Sequence, residues 1–269
     1  MKTVVRPPAV AGMFYPDDPA VLAQVVEDFL AEACAGHAAP PPPPPKAVIA
    51  PHAGYLYSGL VAARAFAPVE AAAGRIARVV VAGPSHYVPL RGMAVPVADA
   101  FATPLGRVPL DRAAIEGLLD LPQVRVAEAP HADEHALEVE LPFLQTLLGD
   151  FSLVPLVVGD ATPSELAEVL ERLWGGDETL IVVSSDLSHF HDYATATRLD
   201  AATASAIERL DGARLGPAQA CGFLPIAGLL ECAKCVGLAA RRLDLRNSGD
   251  TAGPRHRVVG YGAWAFGTA

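Results

Sequence analysis

Four histidines, two cysteine settings and one aspartate stand where a polypeptide can do chemistry. His52 follows the apolar run Ala47 to Ala50 in AVIAPHAGY, and His86 follows Val79 to Ala82 in RVVVAGPSHY. In both, a proline fixes the backbone one or two residues before the imidazole. A third apolar run, in TLIVVSSDLSHF, delivers Asp186 and His189. Imidazoles converging from neighbouring strand ends supply two adjacent ligands for a transition metal. Either histidine alone is equally consistent with a hydrogen-bonded structural group.

Cys221, in QACGFLP, precedes a helix-like run. A helix N-terminus favours thiolate, which makes this sulfur a candidate third ligand or a nucleophile, with a packed small residue as the alternative. Asp186 and His189 read as an acid and base on one loop, or else as a turn capping the next helix. His135 and Glu138 fall one turn apart on an expected helix, sharing a face or lying on its solvated surface. The segment His131 to His135 also spells the H-x-x-E-H of inverted zinc proteases. Pro130, and Asp133 as the expected helix cap, place His131 outside the helix that this mechanism needs. Cys232 and Cys235 form C-A-K-C without a second pair, so they read as packed helix residues. Glycine-rich phosphate loops and the G-x-S-x-G elbow are absent.

The elements that must position these groups follow from the apolar pattern. Short, continuous β-branched runs bounded by Gly, Pro or Ser read as strands buried on both faces, and ligands of such sheets gather beyond their carboxyl ends. Strands are expected at 47–50, 79–82, 93–97, 124–128, 151–158, 180–183, 240–245 and 258–266. Helices are expected at 19–33, 58–66, 110–119, 134–148 capped by Asp133, 163–173, 192–210 and 220–240, with Asp200 and Arg209 on solvated faces. The alternation predicts a single α/β domain over residues 1–269, with a mostly parallel central sheet and helices on both faces. Residues 40–45, all proline, form a stiff surface tether rather than helix or strand.

The chain has 269 residues, 52% of them apolar, enough for one large core. A net charge of -10 argues against nucleic acid or an anionic membrane as partner. No apolar stretch approaches a membrane span, and prolines interrupt any leader-like segment, so a cytoplasmic protein with reduced thiols is expected.

Seven blocks, in order, resemble the Memo family. They are RPPAVAGMFYP from Arg6, APHAGYLYSG from Ala50, GPSHY from Gly83, EHALEVELPFL from Glu134, SSDLSHF from Ser184, ACGFLPI from Ala220, and SGD with VVGY near the C-terminus. The resemblance implies the fold of class III extradiol dioxygenases. It also implies metal binding by His52, His86 and Cys221, with Asp186 and His189 lining the same pocket and His135 close by. Cysteine stands where the dioxygenases use a carboxylate, and a thiolate favours iron or copper over magnesium. Phe223 and Leu224 are bulkier than the residues expected of relatives.

The resulting expectation is a metal-dependent oxidoreductase holding Fe(II), with copper second and zinc third. His189 and Asp186 would move protons, and His135 would orient a small-molecule or peptide substrate. Family association implies a radical S-adenosylmethionine protein as a pathway partner. Two alternatives come from other classes: a catalytically silent adaptor that binds a peptide or phosphorylated ligand in the same pocket, and a zinc hydrolase.

Overall fold

The computed structural model describes residues 3–35 and 43–268. In chain order the strands are β1 (Val5–Arg6), β2 (Ala47–Ala50), β3 (Arg78–Pro84), β4 (Met93–Val95), β5 (Ala100–Thr103), β6 (Gly106–Pro109), β7 (Val124–Val126), β8 (Ser152–Val158), β9 (Thr179–Ser184), β10 (His189–His191), β11 (Ala239–Asn247) and β12 (Val258–Gly267). The α-helices are α1 (Pro19–Cys34), α2 (Tyr55–Phe66), α3 (Arg112–Glu116), α4 (Ala129–Ala132), α5 (Leu141–Leu148), α6 (Pro163–Leu173), α7 (Tyr193–Glu208) and α8 (Phe223–Val236).

Nine strands form the main sheet in the order β10-β12-β2-β9-β3-β8-β4-β7, with β11 paired to β12. Its centre, β2-β9-β3-β8, is parallel throughout. Every residue of β2 and β9 is buried, as continuous apolar strands in a covered sheet must be. The flanks differ from the mostly parallel sheet expected. β12 runs antiparallel to β2, β10 and β11, and β4 runs antiparallel to β8, so the sheet is mixed. For the β11–β12 pair the physical reason is connection length. β11 and β12 are joined across residues 248–257 without a crossover helix, and such a link returns the chain antiparallel.

Helices α6 and α8 pack on each other, α8 lying against β3 and β9, while α1 and α2 form a second pair with α2 against β2 and β12. Side chains cap two of the helices: Asp18 accepts from the Ala20 and Val21 amides, and Thr162 with Glu165 closes a capping box on α6. No described helix is long and apolar enough to cross a membrane. Residues 40–42 of the expected proline tether lie outside the described residues, and Pro43–Pro45 are neither helix nor strand.

The expected helix from Glu134 does not form. The chain makes the short α4, turns, passes through a 3-10 segment at Glu138–Glu140 and enters α5 only at Leu141. Asp133 stands at the carboxyl end of α4 and starts no helix. Glu134, Glu138 and Glu140 are all buried, and each binds a polar partner elsewhere, which draws the segment out of regular helix. A smaller sheet, β1-β5-β6, flanks this region. Asp200, expected on a solvated face, is buried and accepts from the Ser188 amide.

Candidate metal centre

His52 leaves β2 at its carboxyl end, and its backbone is held by Asp186, which leaves the neighbouring β9: the His52 amide donates to Asp186 Oδ1 at 2.9 Å. Its ring is buried, with Nδ1 2.7 Å from Ser184 Oγ at the tip of β9 and Nε2 3.3 Å from Cys221 Sγ. His86 follows β3. Glu134 grips it twice, accepting from the His86 amide at 2.7 Å and from Nδ1 at 2.8 Å. His135 follows Glu134 directly, and its Nδ1 lies 3.2 Å from the Tyr87 hydroxyl.

The three rings pack as one group. His86 and His135 stack with centroids 4.7 Å apart, and His52 meets both edge-on, at 5.2 and 5.4 Å. One ligand nitrogen from each lies within 4.8 Å of the others. Nitrogens bound at about 2.1 Å to a common ion sit roughly 3.5 Å apart, so a small turn of the rings closes the gap. A carboxylate behind one imidazole is the usual support of a metal-bound histidine. The donor set therefore fits a transition metal ion.

Burial depresses the His52 imidazole well below its ordinary range, and the neighbouring imidazoles push the same way. His135 is lowered to about 4, again chiefly by burial, with Glu134 opposing. Neutral imidazoles are the metal-binding form. Burial acts to raise the Glu134 carboxyl, but its bonds and charge contact with His86 outweigh this and hold it below the ordinary range.

Cys221 stands beside His52 yet outside the three-imidazole set. Its thiol is pushed up to about 12 by burial and then by the Asp186 carboxylate, the reverse of the helix-terminus effect expected. Desolvation here exceeds the pull of α8, whose first residue is Phe223. Asp186 is fully enclosed and raised to about 7 by burial. Its observed contact orients the His52 backbone. His189 Nδ1 donates to the Leu187 carbonyl at 2.8 Å, and the ring is lowered by burial, the carbonyl opposing.

His131 goes elsewhere. It is buried in α4 against Phe101, its Nε2 3.0 Å from the Ala94 carbonyl, so the protease-like pair with His135 does not assemble. Glu138 is no solvated partner of His135 either. It is fully buried and paired to Arg6 at 2.6 Å.

Sequence reasoning missed Glu134, Tyr87, Ser184 and Glu140 as parts of the site. A signal existed for the acids: three glutamates interrupt the otherwise apolar EHALEVELPFL, an arrangement a core tolerates only when each acid has a partner.

The fold and cleft together define a class, an α/β protein with clustered imidazoles at the carboxyl ends of adjacent parallel strands. The chain belongs to the Memo-like family, whose model matches residues 6–265. It is 36% identical to a "MEMO1 family protein" of Thermotoga neapolitana, the match covering 96% of this chain and 98% of the relative. A second, from Aquifex aeolicus, is also 36% identical, covering 96% and 97%. Among solved structures, an uncharacterized protein from Escherichia coli K12 superposes with a TM-score of 0.52 at 17% identity, covering 82% of this chain and 99% of that one, a likeness of fold alone.

Proposed function

We propose that this protein is a metal-dependent oxidoreductase whose ion is held by His52 and His86 with a third donor from His135 or Cys221. The observation that carries the reading is the gathering of His52, His86 and His135 nitrogens within 4.8 Å. Three imidazoles with a neighbouring sulfur suit iron, copper or zinc. Fe(II) is the leading candidate because it leaves positions open for O2 and substrate, and copper is second. When bound, such an ion supplies redox or Lewis-acid chemistry at those open positions.

The chain's own residues divide the remaining work. Glu134 orients His86, and Asp186 orients His52 through its amide. His189 is the candidate proton carrier, its Nδ1 tied to Leu187 and its Nε2 left to exchange. Phe14, 4.8 Å from the His135 ring, and Tyr87, 5.8 Å from it, flank that imidazole with aromatic surface. The substrate is a small molecule or peptide end able to reach this cleft.

Metal content after anaerobic purification tests the reading. About one iron or copper per chain is expected, lost in His52→Ala and His86→Ala. Comparing His135→Ala with Cys221→Ala identifies the third donor, since only the true ligand costs metal. Absence of bound metal at micromolar supply removes the reading in favour of an adaptor. Metal-loaded protein that consumes no O2 with catechol or thiol reductants removes the oxidoreductase assignment.

A further inference from the structure

Ser184 has one hydroxyl proton and three polar neighbours. Ala136 O lies at 2.7 Å, Glu140 Oε1 at 2.8 Å and His52 Nδ1 at 2.7 Å. A carbonyl oxygen only accepts, so the hydroxyl proton belongs to Ala136. The two lone pairs of Ser184 must then receive both remaining contacts. His52 does this with Nδ1–H. Glu140 has one way to donate, which is to carry a proton itself.

We propose that Glu140 is kept as a neutral carboxylic acid whose O–H, donated to Ser184, fixes His52 in the Nδ1–H tautomer and leaves the Nε2 lone pair for the site. Other assignments leave unmatched lone pairs. An ionised Glu140 claims the Ser184 proton, and two oxygens then face each other at 2.7 Å with no hydrogen between them. The opposite tautomer of His52 claims the same proton with the same result.

The surroundings agree. Glu140 is fully buried, and its second oxygen has no partner. No cation pairs with it among the described residues, whereas Glu138, two residues earlier, is matched to Arg6 at 2.6 Å. An unpaired buried carboxylate is far costlier than the neutral acid. Burial raises Glu140 well above its ordinary range, Ser184 opposing and Asp186 reinforcing. Two acids in one short segment thus meet opposite surroundings, one against a cation and one without. Glu140 is a positioning residue acting through Ser184, just as Glu134 acts on His86.

The inference takes from the metal reading only the role of His52 Nε2, and its spectroscopic tests need no metal. Infrared difference spectra of wild type against Glu140→Gln at neutral pH should show a protonated-acid carbonyl band lost in the variant. In 15N-histidine spectra, His52 should be Nδ1–H in wild type and in Glu140→Gln, whose amide N–H replaces the acid O–H. In Ser184→Ala it should become a mixture of tautomers. Zinc titration should find Glu140→Gln within about twofold of wild type and Ser184→Ala weaker by roughly 10- to 100-fold. An unchanged acid band in Glu140→Gln, or an Nε2–H His52 in wild type, overturns the proposal. Failure of every form to bind zinc counts against the metal centre and leaves the tautomer result standing.

Discussion

At the residue scale, the site is governed by what stands behind each imidazole. Glu134 holds His86 through both backbone and ring, so Glu134→Ala should weaken zinc or iron(II) binding by about 10- to 100-fold with the fold intact. Equal affinities in a competition titration would refute that dependence. His131 tests the electrostatics away from the cleft. Burial lowers it to about 4, so between pH 6.5 and 4 the unfolded chain takes up a proton that the folded chain refuses. Its linkage contribution is therefore a loss of stability on acidification, up to about 3 kcal/mol across that window. A His131→Gln variant should show a shallower fall of urea midpoint from pH 6.5 to 4 than wild type, and parallel curves would exclude the effect. His52 and His86 stand out in the sequence because each follows an apolar run closed by proline, and the structure gathers both with His135. Ser184 and Glu140 do not stand out, since nothing in a one-dimensional pattern says which buried oxygen will meet which ring.

At the element scale, the N-terminal segment is fastened to the segment that carries the site. The Arg6 guanidinium donates to the His131 and Glu134 carbonyls and to Glu138, each at 2.6 Å, and Glu138 also accepts from the Ala9 and Val10 amides and the Tyr15 hydroxyl. This sets Phe14 against His135. Removing one partner of a fully buried pair strands the other, so Arg6→Ala should cost about 3–5 kcal/mol in denaturant unfolding. A loss under 1 kcal/mol would show the pair to be dispensable. The central strands were read nearly to the residue, since Pro and Gly stop β-branched runs sharply. The break at 133–140 was hidden because Leu137, Leu141, Leu144 and Leu148 keep helical spacing across it. Three buried acids, each with its own partner, overrode that periodicity.

At the scale of the whole molecule, one hydrophobic cluster joins α1, the central sheet and α8, so binding at the cleft should stabilise the entire chain. An ion at 100 times its dissociation constant adds about 2.7 kcal/mol. For a chain of this size that raises Tm by a few degrees. Calorimetry with and without iron(II) or zinc should show this shift in wild type and none in a His52→Ala, His86→Ala double variant. A rise in both would place the binding elsewhere.

β12 lies next to β2, pairing Trp264 with Ile49, and it also carries β10 with His189. The strand that braces the ends carrying His52 and His189 is thus the one most distant from His52 along the chain, so the finished pocket depends on a pairing that closes a loop of more than 200 residues.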